Sequence, residues 1–396
     1  MRDLERWGIS FDKNTSKPYF EGHEREDVVE KRKEFVEYFS TRLHNYYRPS
    51  EDKIPAWISP SSDRPVILIS HDETTHKSGE QSSRSWSVND NPRFHNKGRG
   101  RSWMCSDFFV LHPTGPFFEL DDDEWELAVQ SYPSLFENNQ MYSTNTASAA
   151  MCPGGESYFD NDVILEQFER MFQMIQFKKD FENHKIEFLV DNATTHTALV
   201  ININDFQLNI GGRCQVEQLQ WKVDDVEHTL KCFFDRGPNK GLHKGLKVLA
   251  KELGLQFCEK IKLPDLKVLL LNHPAFKPVS KLENLAEHYD IKIIFVPKYH
   301  CEFNPIEGVW CWQKGYTRTN TDQKFSTMLK LIDEARELFK DGITWIKLWR
   351  RFWRVIYGYN VGTPFQDILH TYFSGKSNEK IVAHRKIYNT LLDHDE

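Results

Sequence analysis

The sequence lacks any apolar run long enough to cross a membrane as a helix, which takes about 20 residues. Its charged N-terminus does not have the pattern of a signal peptide. The seven cysteines are scattered without a Cys-x-x-Cys pair, and this odd number without regular spacing predicts reduced thiols in a nuclear or cytosolic compartment. The pattern therefore argues against a membrane protein and against a secreted, disulfide-stabilised one.

An excess of basic residues, which most nucleic-acid-binding proteins carry, is also missing. The net charge is −7 and the isoelectric point is near 6.2, although binding to phosphate depends on positive charge. Hydrophobic residues make up 39% and aromatic residues 13% of the chain, which is enough for a folded core. The length of 396 residues suits two domains, or one domain with a large insertion.

Three acidic residues come shortly after stretches with the apolar, β-branched composition of buried strands. The strand patterns cover residues 66–70, 186–190 and 291–296, and the acids are Asp72, Asp191 and Glu307. Pro305 suits the first position of a helix, which places Glu307 in a first helical turn. A lone Asp after a strand is more often a turn or cap residue. Three acids at three strand exits, however, predict a carboxylate cluster at one sheet edge that can hold two divalent cations.

The local contexts of these acids resemble those of the mariner-like DDE transposases. Asp72 lies in the segment ISHDET, Asp191 in LVDNATTH and Glu307 in CEFNPIEGVW, in the order of the catalytic Asp, Asp and Glu of that superfamily. The segments EGHEREDVVEKR (21–32), PGGESYFDND (153–162) and PKYHCEFNPIE (297–307) further resemble a long-insert subgroup. The resemblance covers residues 4–388, and its motifs are specific when taken together and in order.

The order of strand and helix patterns predicts an α/β fold with a ribonuclease-H-like mixed sheet flanked by helices. An insertion is expected before the last catalytic strand, and a helical extension at the C-terminal end. The expected divisions are residues 1–60 as linker and amphipathic helix, 61–325 as catalytic domain with an insertion at about 197–278, and 326–396 as helical extension. Further strands are predicted at residues 82–88 and 102–111, and little regular structure at 121–162.

The resemblance implies a DNA transposase that hydrolyses DNA phosphodiesters at transposon ends and joins the freed 3′ ends to target DNA. It also implies two Mg²⁺ or Mn²⁺ ions, held by Asp72, Asp191 and Glu307, with Asp72 bridging both. Hard divalent ions prefer such oxygen ligands. A pair of them stabilises the attacking and leaving oxygens of a phosphodiester.

Basic residues in three places are candidates for contact with DNA phosphates. They are Arg99 and Arg101 in one loop, Lys240, Lys244 and Lys247 in a glycine-rich stretch, and Arg350, Arg351 and Arg354 between the apolar positions of a helix. The two loops are equally consistent with solvated turns. Glu73 and Glu302 adjoin the triad and are expected to support it or to face solvent, and Asn192 is expected to support the site or to cap the next helix. His196 is expected to cap or pack.

Double-stranded DNA, as transposon ends and as target, is the partner that the resemblance implies, and a homodimer is left open. In that superfamily helix-turn-helix modules precede the catalytic domain. Residues 1–7 look like the end of their linker, so only weak end recognition is expected of this chain. The location would be nuclear in a eukaryote and cytoplasmic otherwise. Two alternatives stand beside this interpretation: a domesticated relative that binds DNA without cutting it, and a different ribonuclease-H-like nuclease.

Overall fold

A mixed five-stranded sheet lies at the centre of the fold. The computed structural model describes residues 22–82, 98–137, 141–154, 158–224 and 226–373. The longer strands, in chain order, are β1 (Val66–Lys77), β2 (Ser102–Leu111), β3 (Ala149–Met151), β4 (Lys185–Val190), β5 (Gln218–Val223), β6 (Val226–Lys231) and β7 (Ile291–Phe295). The central sheet has the order β3-β2-β1-β4-β7, in which β2 is antiparallel to β1 and β3, while β4 is parallel to β1 and β7. This topology confirms the predicted ribonuclease-H-like sheet.

The described residues also form helices, some of which cover the two faces of this sheet. They are α1 (Glu26–Ser40), α2 (Asp122–Ser131), α3 (Ser134–Glu137), α4 (Asn161–Ile175), α5 (Gly245–Glu252), α6 (Leu263–Leu271), α7 (Lys281–Glu287), α8 (Ile306–Asn320), α9 (Phe325–Asp341), α10 (Thr344–Asn360) and α11 (Phe365–Phe373). Two short strands, Arg48–Pro49 and Trp57–Ile58, pair with each other outside the central sheet. No helix within the described ranges is long and apolar enough to span a bilayer.

The continuous apolar composition at the start of β1 follows from burial on both of its faces. Side chains alternate between the faces of a strand. Ile69 lies in the core that includes Phe168 of α4, whereas Leu68 lies in the core that includes Trp349 of α10. The Trp349 indole N–H also donates to the carbonyl of Val110 in β2 at 2.9 Å. The sheet is therefore held between α4 and α10.

The C-terminal helices form the predicted extension and cover one face of the sheet. Helix α10 buries an apolar stripe at the predicted spacing, at residues Trp345, Trp349, Phe352, Trp353 and Ile356. The amphipathic helix predicted near the N-terminus is α1. It packs against α10, with the ring centroids of Phe39 and Phe352 5.3 Å apart. Two helices from opposite ends of the chain thus share one core.

The stretch 121–162 was predicted to have little regular structure, but its described residues include α2, α3, the edge strand β3 and the start of α4. Asp121 and Glu124 form a capping box at the start of α2, each side chain accepting from the other's backbone N–H. That is a helix-start signal inside an acidic run. Strand β3 is only three residues long, which is too short for alternation to reveal it. Of the strand predicted at 82–88, residues 83–88 lie outside the described residues, and Ser82 is not in a strand.

The insertion enters and leaves the fold at one place, between β4 and β7. Leu199 forms a β-bridge with Ser280, and the Val200 N–H donates to the Val279 carbonyl at 3.0 Å. Between these ends, the β5–β6 hairpin and helices α5 and α6 enclose a separate core whose buried residues run from Ile203 to Phe276. The predicted insertion before the last catalytic strand is therefore present.

Candidate active site

Asp72 lies inside β1 and not at its end, which corrects the predicted strand exit. β1 continues to Lys77 because β2 pairs with it over that stretch. The parallel partner β4, however, ends at Val190, which is level with His71. Asp72 is therefore the first residue of β1 beyond the parallel ladder, next to Asp191, which follows Val190.

Glu307 lies in the first turn of α8, as predicted. The loop before this helix is tied to β1 by the Ser70 hydroxyl, which donates to Asn304 Oδ1 at 2.5 Å. Strand alternation puts Ser70 and Asp72 on the same face of β1. The hydrogen bond therefore brings the start of α8 over the face of β1 that carries Asp72.

Close packing of α8 against α10 fixes the first turn further. Gly308, directly after the acid, lies so near α10 that a Cβ there would be 2.5 Å from the Leu348 side chain. Only glycine leaves room for this approach without a shift of its neighbour. The position of the Glu307 backbone is thus set by contacts on two sides.

The neighbouring acids lie close enough to Asp72 to influence its ionisation. Burial, followed by the charges of Glu307, Glu73 and Asp191, raises the pKa of Asp72 well above its usual range. Clustered like charges in a buried site are unfavourable unless a cation neutralises them. Oxygen ligands alone are the donor set that Mg²⁺ and Mn²⁺ prefer, so the residues present fit such an ion.

His196 is buried beside these acids and contacts the carboxylates of Asp191 and Glu73. Its Nδ1 makes a short hydrogen bond with Asp191 Oδ1, and its Nε2 lies 3.1 Å from Glu73 Oε1. Burial lowers the pKa of the ring, but the hydrogen bonds to Asp191 and Glu73 outweigh it and raise the pKa to about 10. His196 was expected to cap or pack, and the structure gives it a polar role that the sequence did not reveal.

A second group of potential ligands lies on the opposite face of β1. Ring nitrogens of His71 and His196 and a carboxylate oxygen of Glu73 lie within 4.8 Å of one another. His71 is bonded through one ring nitrogen to the Ser106 hydroxyl at 2.9 Å, while both nitrogens of His196 face carboxylates. This group is therefore organised as a hydrogen-bonded network.

The two other residues predicted to support the triad occupy different surroundings. Asn192 follows Asp191 directly and is half-buried. Glu302 is buried, and its Oε1 accepts from the Tyr359 hydroxyl at 2.6 Å and lies 2.7 Å from His300 Nδ1. Glu302 thus links the loop before Glu307 to the end of α10.

Two features of the site were missed by sequence reasoning. Asp107 of β2 is directly opposite Asp72 in the antiparallel register, where it is paired with Arg336 of α9 and accepts from the Ser148 hydroxyl. Lys314 lies two helical turns after Glu307 on α8, and burial, followed by the charge of Arg318, lowers its pKa. Helical spacing from Glu307 was the signal available for Lys314, whereas nothing in the sequence indicates the partner of Asp107.

Some of the residues predicted to contact DNA are exposed, whereas others interact with acidic side chains or backbone carbonyls of the protein itself. Arg99 and Lys240 are exposed, and Arg101 is exposed as well but has its guanidinium 4.0 Å from the centre of the Phe325 ring. Lys244 forms an ion pair with Glu252 at 2.7 Å, and Lys247 donates to the Glu259 carbonyl at 2.9 Å. The loop containing Arg99 lies beside the end of β1. Gly79, two residues after this strand, donates its N–H to the Arg99 carbonyl.

The arginines of α10 do not form the exposed face that was expected. Arg350 is buried and donates to the carbonyl of Asp52 at 2.8 Å. Arg354 is paired with Glu51 at 2.6 Å, and the Arg351 guanidinium lies 4.4 Å from the centre of the Phe373 ring. The segment around residues 50–52 covers this side of α10, which a helical stripe alone does not predict.

The fold and site together define a ribonuclease-H-like protein with a carboxylate-rich centre. No protein-family model matches the sequence, and no curated protein matches it. Among solved structures, the chain is similar to the Mos1 mariner paired-end complex with Mn (12% identity, TM-score 0.43, 91% of this chain and 69% of that one). It is also similar to a pre-cleavage Mos1 transpososome (10%, 0.42, 91% and 69%) and to the Mos1 strand transfer complex (10%, 0.39, 91% and 68%). These values are too low to establish a family.

Proposed function

We propose that this chain is the catalytic domain of a mariner-like DDE transposase, an Mg²⁺- or Mn²⁺-dependent enzyme. It would hydrolyse DNA phosphodiesters at transposon ends and transfer the freed strands to target DNA. The observation that carries the proposal is that Asp191 and Glu307 lie close to the buried Asp72, where the parallel pairing of β1 and β4 ends in a ribonuclease-H-like sheet. The sequence contexts of the same three residues support it independently.

In this proposal Asp72, Asp191 and Glu307 would hold the ions, with Asp72 shared between them. When bound, two divalent ions supply an activated water and stabilise charge on the attacking and leaving oxygens. The protein contributes rigid placement, since one acid is in a strand, one follows the neighbouring strand and one begins a packed helix. Lys314, on the same helix as Glu307, adds a positive charge near the reacting phosphate.

The proposed partner is double-stranded DNA, as transposon ends and as target, and the proposed assembly is a homodimer. Nuclear location is proposed for a eukaryotic host. Arg99 and Arg101 are the best placed of the predicted DNA contacts, because their loop lies beside the end of β1, whereas Lys240, Lys244 and Lys247 lie in the insertion. The division of the chain at residues 60 and 325 stays a prediction.

A cleavage assay with residues 1–396 tests the proposal. The substrate is a labelled duplex carrying the inverted repeats that flank the gene, incubated with Mg²⁺, Mn²⁺ or EDTA and with a target plasmid. We expect metal-dependent cuts and joined products, with little preference for the repeat ends because only weak end recognition is expected of this chain. A protein that binds the duplex but never cuts it would point to a domesticated relative. Cleavage of an RNA–DNA hybrid with an intact DNA duplex would point to another ribonuclease-H-like nuclease.

A further inference from the structure

We propose that His196 is a positioning residue that fixes the Asp191 carboxylate by linking it to Glu73. The inference rests on the proposed function, because it takes Asp191 to be a metal ligand. It gives Glu73 a role in which that carboxylate acts through His196 and not on an ion directly.

The hydrogen bonds of His196 define the link. The ring is fully buried, with Nδ1 on Asp191 Oδ1 and Nε2 3.1 Å from Glu73 Oε1. The Ala193 N–H donates to the same Asp191 oxygen at 3.2 Å. Both contacts use Oδ1, so Oδ2 is the oxygen available for binding an ion. A carboxylate held in this way has one orientation instead of several.

The link lies where the backbone ladder stops. The parallel pairing of β1 and β4 ends with His71 and Val190. Beyond this point backbone hydrogen bonds between the two strands no longer fix the separation of Asp72 and Asp191. The contacts of the His196 imidazole with Glu73 and Asp191 connect β1 to the residue after β4, just beyond the last backbone pair.

The link also reaches Asp72. The Glu73 backbone N–H donates to Asp72 Oδ1 at 2.8 Å, while the Glu73 side chain, on the other face of β1, meets His196. A continuous set of contacts therefore joins the first and second acids of the triad. Ligand oxygens must be placed within about 0.5 Å of productive geometry, so such a connection has a direct effect on metal binding.

The surroundings of His196 hold its ring in place. His71 packs edge-on against it, with ring centroids 5.5 Å apart, and is itself packed on Phe168 of α4 at 4.5 Å. His71 is bonded to Ser106, whose hydroxyl donates to Gln167 at 2.8 Å. Because both nitrogens of His196 face carboxylates, the imidazole connects two acids and is not itself an ion ligand.

Binding of Mn²⁺ to residues 1–396 tests the inference without DNA. The loss of the free-ion electron paramagnetic resonance signal gives the dissociation constant. We expect His196→Ala to raise this constant by about 10–100-fold, the usual effect of removing a partner that orients a ligand. His196→Asn, whose amide can still donate to Asp191, should recover part of the loss. His112→Asn is the matched control: His112 is also buried but lies just beyond the other end of β2, and its variant should bind as the wild type does.

A double-mutant cycle separates this link from a general loss of packing. If Glu73 acts through His196, then Glu73→Ala combined with His196→Ala should bind Mn²⁺ no more weakly than His196→Ala alone. Independent, additive losses would overturn the inference. So would wild-type affinity in a His196→Ala or His196→Asn protein that keeps its circular dichroism spectrum.

The cleavage assay distinguishes this inference from the proposed function. A wild-type chain that binds Mn²⁺, loses affinity in the His196 variants and yet cuts no DNA would contradict the transposase activity and support the positioning role. A chain that cuts DNA with unchanged metal dependence in His196→Asn and His196→Ala would support the activity and overturn the positioning role.

Discussion

At the residue scale, the burial of Asp72 determines how the site responds to pH. Its raised pKa means that the folded chain binds this proton more tightly than the unfolded chain does. An ordinary Asp ionises near pH 4. Protonation of Asp72 therefore stabilises the folded state fully below about pH 4. This contribution is lost as the pH rises towards the raised pKa of Asp72 in the folded state.

Replacing Asp72 by Asn should therefore raise the Tm of the metal-free protein at pH 7. Asparagine keeps the shape and accepts from the Glu73 N–H, but it removes a buried charge that Glu307, Glu73 and Asp191 repel. Thermal unfolding in EDTA between about pH 4 and 8 should show a flatter decline for Asp72→Asn than for the wild type. Added Mg²⁺ should raise the Tm of the wild type more than that of the variant. The exposed Asp123→Asn is the control, and a wild type more stable than Asp72→Asn in EDTA at pH 7 would contradict this reasoning.

The other two acids are tested through catalysis. Asp191→Asn and Glu307→Gln should each lower strand cleavage by at least about 10²–10³-fold, because transition-state charge loses a preorganised partner. Their circular dichroism spectra should stay those of the wild type, since both residues are only half-buried. Cleavage by either variant at the wild-type rate would remove that residue from the site.

The sequence predicts the site residues whose positions are set by a local pattern, and it does not predict those whose positions depend on contacts with distant segments. Asp191 and Glu307 were visible because each comes shortly after the end of a strand, and Asp72 was visible because it follows the apolar run that opens β1. His196 was visible only as a residue near Asp191, since its second partner is Glu73, which comes from a different strand. Arg350 was misjudged because a helical stripe does not show which distant segment covers the neighbouring face. Long-range pairing, and not local pattern, is what was missing.

At the element scale, the same distinction holds for strands and helices. β1, β4, β7 and α10 have long, regular patterns and were predicted, whereas β3 is stabilised by its pairing with β2 and not by its own sequence. The helix α9 is attached to the sheet in a way that only the structure reveals. Its Arg336 pairs with Asp107 of β2 and stacks on the Phe117 ring at 3.7 Å.

Removing the Arg336 charge should destabilise the fold. Arg336→Met leaves the buried Asp107 carboxylate without its cation, which typically costs about 3–5 kcal/mol. Urea unfolding measures this loss. The double variant Arg336→Met with Asp107→Asn should recover much of it, because the uncompensated charge is then absent. A single Arg336→Met variant within about 0.5 kcal/mol of the wild type would show that the ion pair contributes little.

The insertion should be separable from the catalytic sheet. Because Leu199 and Ser280 already pair, replacing residues 201–278 by a short Gly-Ser turn should leave the sheet folded. We expect the shortened protein to unfold cooperatively and to bind Mn²⁺ with the affinity of the full chain. Loss of cooperative unfolding would show that the insertion and the sheet stabilise each other.

At the scale of the whole molecule, an acidic chain must present positive charge locally if it is to hold DNA. Of the basic residues predicted to contact DNA phosphates, Arg99 and Arg101 are now the main candidates, since Arg350 is buried and Arg354 is paired with Glu51. The loop with Arg99 and Arg101 lies beyond Asp72 along β1, at the end of the strand that pairs with β2. A duplex crossing the site would then pass over it.

Replacing Arg99 and Arg101 by Glu should weaken non-specific duplex binding and make it less dependent on salt. Each phosphate contact that is lost should reduce the log–log salt slope by roughly 0.9 for B-DNA. The Tm should change little at Arg99, which is exposed, and should fall slightly at Arg101, whose guanidinium stacks on the Phe325 ring at 4.0 Å. Binding titrations at several salt concentrations measure both effects. The same charge change at the exposed Lys31 and Lys33 of α1 is the control. Equal losses of duplex affinity at both places would indicate diffuse electrostatics. An unchanged salt slope in the Arg99 and Arg101 variant would show that this loop is a solvated turn and that the DNA binds elsewhere on the molecule.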